Sequence, residues 1–254
     1  MSDYDLDSGP DPATVAAAEP ETFGNDADPV HAVGIGPGNL DYLTPRGRQA
    51  IEDADVVVGF ETVVKFIADL TDAELLTCGY KDEREALTTF ADRVADGERG
   101  TAVLMGDPNH SGYQFVGKVQ DVVDRPVRVI PGISSLQIAA SRARTPMEDT
   151  EFVTLHKSGD ISDDHQRLAA TVGDRHLLVL PRPFDWMPGD IAAHLLDGGA
   201  DPTLDALVLE KLTHDDESIS RFSLGELADH AGGSDPDDTP FSDLSVLAVR
   251  REDP

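Results

Sequence analysis

VHAVGIGPGNLDYLTP, residues 30–45, decides the fold. Val30–Ile35 is a short apolar run that ends among glycines, which predicts a buried strand. Gly34-Ile35-Gly36-Pro37-Gly38 predicts a tight turn whose glycines let the backbone bend sharply and come close to a ligand. Thr44 before Pro45 marks a helix start, because threonine caps free N–H groups and proline at the first helical position has none to lose. The spacing is not the dinucleotide fingerprint G-x-G-x-x-G, since Asn39 stands where the third glycine would be.

Working outward, the same strand, turn and helix pattern repeats. Asp55–Val58 predicts a strand punctuated by Gly59, and Asp82–Ala95 a helix with Leu87, Phe90 and Val94 on one stripe. Thr101–Met105 predicts a strand running into Gly106-Asp107-Pro108, followed by a helix over Tyr113–Val123. Val127–Ile130 predicts a strand stopped by Pro131-Gly132, with Ser134 and Ser135 placed to cap a helix reaching about Ala143. This repetition predicts a mostly parallel, helix-covered sheet over residues 29–147. Beyond Pro146 the register changes. Strands are expected at Phe152–Leu155, His176–Leu180, Leu204–Leu209, Ser218–Phe222 and Leu244–Arg250. Helices are expected at Ser162–Ala170, Pro188–Leu196 and Leu224–His230, and a polar loop over Gly232–Pro240. A reversal near Asp216 makes the sheet of this second α/β domain, residues 148–254, a mixed one. Residues 1–28 lack apolar periodicity and are expected to be a disordered acidic tail.

Composition narrows the class. Of 254 residues, 49 are acidic and 20 basic, a net charge of −29. Such a field repels nucleic acid and anionic membrane surfaces, so neither is expected as a partner. It suits a solvated surface or a high-salt setting where counterions screen the repulsion. No stretch of about 18 apolar residues predicts a membrane span, and the N-terminus has the character of neither a secretory signal nor a transit peptide. Cys78 is the single cysteine and no Cys/His cluster has zinc spacing, so no disulfide and no structural metal is expected. A cytoplasmic protein fits these readings.

Three turns carry the candidate chemistry, each after a strand of the expected parallel sheet, where carboxyl ends form a ligand-binding crevice. Around Pro37 the turn reads equally as ligand cradle or simple chain reversal. Met105-Gly106-Asp107 offers a carboxylate that could bind a ligand hydroxyl or amine, or cap the next helix, and Gly112 could permit close backbone approach. Ser134 and Ser135 offer hydroxyls and free amides for an anion, or an ordinary N-cap. His156, His165, His176, His194 and His214 show no metal or triad spacing, and His31 reads as structural. No G-x-S-x-G or Walker-type loop is present. No catalytic residue is identified.

In combination and order, these segments resemble the tetrapyrrole methylase family. VGIGPGNLDYLTPRGRQAIEDADVVVGFE resembles its opening GxGPGD motif, LMGDPNHSG its GDP-x-x-x-G loop, and VIPGISSLQIAASRARTPMEDTEFVTLH its PG[IV][ST]S segment. The last, with EKLTHDDESISRFSLGELA, resembles the cobalt-precorrin-7 C5-methyltransferases. The resemblance implies two α/β domains with S-adenosylmethionine as cosubstrate in the cleft between them. It places Pro37, Met105, Gly106, Asp107, Gly112, Ser134 and Ser135 around that cosubstrate, with Arg182 and Leu212 as contacts from the C-terminal domain. It implies methyl transfer to C5 of cobalt-precorrin-7 in cobalamin biosynthesis, no bound metal, a homodimer, and a separate protein for C15 methylation and decarboxylation. Alternatives are methylation at another tetrapyrrole position, methylation of a protein as in diphthine synthesis, or a non-catalytic nucleotide-binding module. Three positions depart from the pattern: Asn39 replaces the usual acid, Met147 a tryptophan and Phe222 a glycine. A polycarboxylate substrate on so acidic a protein calls for local cations, for which Arg142, Arg144, Lys157, Arg182 and Lys118 are candidates.

Overall fold

A computed structural model describes residues 28–79, 81–157, 159–232 and 238–251. The expected tail lies outside them except for Asp28, as does the middle of the 232–240 loop. The chain divides into two compact units, Met1–Ser134 and Ser135–Pro254.

The first unit runs β1 (Val30–Gly34), α1 (Pro45–Glu52), β2 (Val56–Phe60), α2 (Glu61–Ile67), β3 (Glu74–Cys78), α3 (Glu83–Ala95), β4 (Gly100–Leu104), α4 (Tyr113–Val122) and β5 (Val127–Ile130). The strands form one parallel sheet in the order β3-β2-β4-β1-β5. In register, Val33 lies beside Val103 on one side and Ile130 on the other. Both faces are buried, which is why β1 and β2 read as continuous apolar runs. Val30, Ala32, Val56 and Val58 pack with Phe90, Val94 and Val119 of α3 and α4. Val33 and Val57, pointing the other way, pack with Ile51, Val64 and Ile67 of α1 and α2. The helix start foreseen at Thr44 is present, with its Oγ1 accepting from Gly47 N at 3.1 Å.

Nothing in the sequence reading assigned α2 or β3. β3 is an edge strand, ELLTC, mostly half-exposed or exposed, and α2 has only 7 residues, too few to display a period. β3 ends at Cys78, buried with its Sγ 3.6 Å from the Gly59 carbonyl. Burial, helped by Glu83 and Asp82, pushes this thiol up to about 12.

The second unit runs α5 (Ser135–Ala143), β6 (Thr150–Thr154), α6 (Ser162–Thr171), β7 (His176–Leu180), α7 (Pro188–Asp197), β8 (Asp205–Glu210), β9 (Ser218–Ser223), α8 (Leu224–Ala228) and β10 (Ser245–Val249). Its sheet is mixed, as expected, in the order β6-β7-β10-β8-β9. β6 and β7 are parallel, β10 is antiparallel to β7 and β8, and β9 returns antiparallel to β8. One face packs Val153, Leu177, Val179, Val208 and Leu247 against Leu168, Ile191, Leu195 and Leu227 of α6, α7 and α8. α5 packs against β7 and β10. That contact places α5 in the second unit, so the units divide at Ser134/Ser135, earlier than the change of strand pattern near residue 148.

Among the described residues no helix is long and apolar enough to cross a membrane. None of their His, Cys, Asp and Glu side chains form a group of three or more that could hold a metal ion.

Candidate functional site

β4, β1 and β5 are neighbours in the first sheet, so the turns that leave them lie side by side at its carboxyl edge. They are joined by backbone. Ile35 N donates to Leu104 O at 2.9 Å, Gly36 N to Gly106 O at 3.3 Å, and Gly106 N to Gly36 O at 2.7 Å. A Cβ on Gly34 would sit 2.5 Å from Gly106 O and 2.7 Å from Gly132 N. One on Gly132 would collide with the Gly106 and Gly34 carbonyls. Only glycine lets the turns approach this closely. Gly106 differs: its φ is +66°, which disfavours any side chain, yet a Cβ there would meet nothing within 4 Å.

Asp107 is buried and fastens the arrangement. Its Oδ1 accepts from Asn109 N at 2.8 Å and its Oδ2 from Gly132 N at 3.2 Å, tying the β4 turn to the β5 turn. Of the two readings foreseen for it, the capping role is the one made by hydrogen bonds within the chain. Pro37 is buried and Met105 half-buried against the α1–α2 face of the sheet. Gly112 makes room for Leu104, whose Cδ2 would lie 2.5 Å from a Cβ at that position. Ser134 is buried just before α5, and Ser135 is the first residue of α5. Asn39 caps the turn at Leu40–Tyr42, its Oδ1 accepting from Asp41 N at 2.9 Å, a role its amide fills without charge.

At the carboxyl edge of the second sheet, side chains do the fastening. Arg182, just after β7, donates from Nε to Lys157 O at 3.0 Å and from Nη2 to Gly159 O at 2.9 Å. It pairs with Asp185 at 3.1 Å. Its backbone bridges Trp186. Leu212, after β8, is buried between two residues in left-handed conformation, Lys211 (φ 48°) and Thr213 (φ 72°). For a β-branched residue such a φ is strained. Glu217 steadies this turn, with Oε2 accepting from Thr213 N at 2.7 Å and Oε1 from Arg142 Nε at 3.0 Å. The Thr213 amide and, to a lesser degree, Arg142 hold the Glu217 carboxyl below its usual range. Glu217 and the strained turn left no local signal in the sequence.

Of the five candidate cations, four are engaged. Arg142 pairs with Glu217, Lys157 with Asp164 at 2.6 Å and Lys118 with buried Glu83 at 2.5 Å, while Arg182 clamps the Lys157 and Gly159 carbonyls. Arg144 is exposed, closes α5 with φ 57°, and has no ion pair among the described residues. His156, after β6, is held below the usual histidine range by burial, with Arg182 adding to that and Asp243 opposing it. His31 is lowered likewise, by burial and then Arg46. Met147 is exposed, and Phe222 packs edge-on to His230 and Phe241. A cavity of about 770 Å³ lined by Glu52, Asp55, Asp69, Asp72, Arg93 and Glu98 lies at the amino edge of the first sheet, away from the three turns.

Known proteins share this pattern. The family of tetrapyrrole (corrin/porphyrin) methylases matches residues 29–228. A probable cobalt-precorrin-7 C(5)-methyltransferase of Methanocaldococcus jannaschii is 28% identical over 199 residues, covering 78% of this chain and 91% of that protein. The solved methyltransferase CobJ superposes with a TM-score of 0.70 at 22% identity, covering 88% of this chain and 94% of the other. A uroporphyrin-III C-methyltransferase from Thermus thermophilus, complexed with S-adenosylhomocysteine, gives 0.64 at 22% identity, covering 87% and 92%.

Proposed function

This chain belongs to the tetrapyrrole (corrin/porphyrin) methylase family, and from that premise we propose that it transfers a methyl group from S-adenosylmethionine to C5 of cobalt-precorrin-7. The observation that carries the proposal is the set of interlocked turns after β4, β1 and β5, built from the residues that the family's motifs share. The acceptor rests on the 28% identical C5 relative and on the segments through Leu155-His156 and Glu210–Ala228.

The turns suit such a donor. They present backbone and small residues, and the open side of Gly106 leaves space that a side chain would take. Pro37, Met105, Gly106, Ser134 and Ser135 border the cosubstrate. Asp107 and Gly112 hold the turns in place, and Leu212 and Arg182 sit in loops at the carboxyl edge of the second sheet. S-adenosylmethionine supplies a sulfonium methyl already activated for displacement. A carbon–carbon bond to an enamine-like ring carbon forms as the carbon–sulfur bond breaks, and that electron pair stays on sulfur. The protein's task is placement, which can contribute on the order of 7–11 kcal/mol without a strong base. Arg144, exposed and outside any ion pair among the described residues, is the cation we assign to a substrate carboxylate.

The test is turnover of cobalt-precorrin-7 with methyl-labelled S-adenosylmethionine, read by mass spectrometry and NMR. One new methyl at C5 is expected. Label at C11, C17 or C20 with C5 untouched would overturn the acceptor while leaving the donor. Binding of S-adenosylmethionine without turnover on any corrinoid would favour the non-catalytic alternative.

A further inference from the structure

The second unit holds a cluster of titratable rings that methyl transfer does not use. His165 on α6, His194 in the last turn of α7, and Trp186 in the loop between β7 and α7 are in mutual contact. Ring centroids are 4.0 Å apart for His165–Trp186, 4.7 Å for His165–His194 and 5.7 Å for Trp186–His194. The Nε2 atoms of both histidines are buried and have no hydrogen-bond partner among the described residues. A neutral imidazole tolerates this. A protonated one donates from both nitrogens, and here one N–H would have no acceptor while a cation lay against a second imidazole.

We propose that His165, Trp186 and His194 form an acid-released latch: as neutral rings they seal the 181–187 loop onto α6 and α7, and protonation of His165 against the His194 ring frees that loop. Met187 anchors the loop's far end in the core of the unit, and the ring cluster holds Trp186 just before it. Trp186 exchanges backbone hydrogen bonds with Arg182 at 2.9 and 3.1 Å, and Arg182 in turn clamps the carbonyls of Lys157 and Gly159. Release of Trp186 therefore reaches Lys157 and Gly159, and Phe184 gives up a left-handed φ of 60°. The latch is independent of which carbon the chain methylates.

The surrounding charges do not rescue the protonated state. Asp160 and Asp164 favour a proton on His165, while His194 and Arg182 oppose it. Asp164 is already bound to Lys157 and faces Arg167 at 3.9 Å. Glu151 on β6 pairs with Arg167, and His176 on β7 accepts from Arg251 N. Asp185 pairs with Arg182, and the Asp190 carboxylate accepts from Met187 N and Gly232 N. Burial, then His194, holds His165 below its ordinary 6.5. A folded-state value below the unfolded one means that the unfolded chain binds more protons. Latch stability is thus fully present above 6.5 and is lost as pH falls below it.

Trp186 is the chain's single tryptophan, so emission excited selectively at tryptophan, beyond tyrosine absorption, reports this cluster alone. The full chain is titrated from about pH 8 to about pH 5, across the histidine range. A red shift of Trp186 emission with a midpoint below 6.5, at unchanged far-UV ellipticity, is the expected result. A His165→Phe/His194→Phe double variant keeps the ring packing and should lose the shift. An unmoved emission maximum, an equal shift in the double variant, or ellipticity falling in step would each overturn the latch. Should the double variant fail to fold, amide exchange decides on the unaltered chain. Residues 182–187 should exchange faster below the midpoint after correction for intrinsic pH dependence, and equal protection would overturn it.

Discussion

Both sheets turn their strand ends into candidate binding loops, and they hold those loops in different ways. At the first edge, backbone meets backbone: glycines at 34 and 132 admit the Gly106 carbonyl, and a single carboxylate, Asp107, cross-links the result. At the second edge, long side chains from distant residues hold loops that contain strained, non-glycine positions at Phe184, Lys211 and Thr213. A glycine-packed edge is rigid because no atom can be added. A side-chain-held edge is adjustable, because each tie can be made or broken by charge. One unit therefore carries fixed geometry and the other carries geometry that responds to conditions.

The largest effect should come from Gly132→Ala. Its new Cβ meets two carbonyls that cannot move without separating the turns, and a loss of about 3 kcal/mol in urea unfolding is expected. Gly106→Ala is the control, with only its left-handed φ to oppose it, at about 1–2 kcal/mol. Equal losses would mean that close approach is not what makes the first edge rigid.

Asp107→Ala should come next. It removes the acceptor from two amides, Asn109 N and Gly132 N, at about 1.5–3 kcal/mol. S-adenosylmethionine affinity, read by calorimetry, should fall with stability. Undiminished stability with lost affinity would make Asp107 a ligand contact instead of a clamp.

The smallest effect belongs to the second edge. Glu217 is held below its ordinary 4.5 by the Thr213 amide first and Arg142 after it. Its contribution is therefore present above that value and lost as pH falls through the folded-state one. Glu217→Gln should flatten the stability profile below 4.5 and lower stability modestly at neutral pH, where the carboxylate's contribution is lost. A large loss at neutral pH would show that the second edge is as rigidly built as the first.

The first edge was legible because its devices are local in the sequence. A glycine, a proline or a capping threonine each declares a conformation within a few residues, and the strands between them are buried on both faces. Membership of the methylase family was legible for the same reason. α2 and β3 were not, one being too short to show a period and the other half-exposed at an edge. Nor was the second edge: Arg142 and Glu217 stand 75 positions apart, and nothing near Thr213 announces a positive φ. The histidines read as isolated because the fold, not the spacing, brings His165 and His194 together.

Cys78 has a practical consequence. Its sulfur is buried against a strand carbonyl and its proton leaves only near pH 12, so at neutral pH it holds almost no reactive thiolate. An alkylating dye or spin label added to the folded chain should pass it by. A cysteine introduced at any exposed position would then be the sole point of attachment, with no need to delete the native one first.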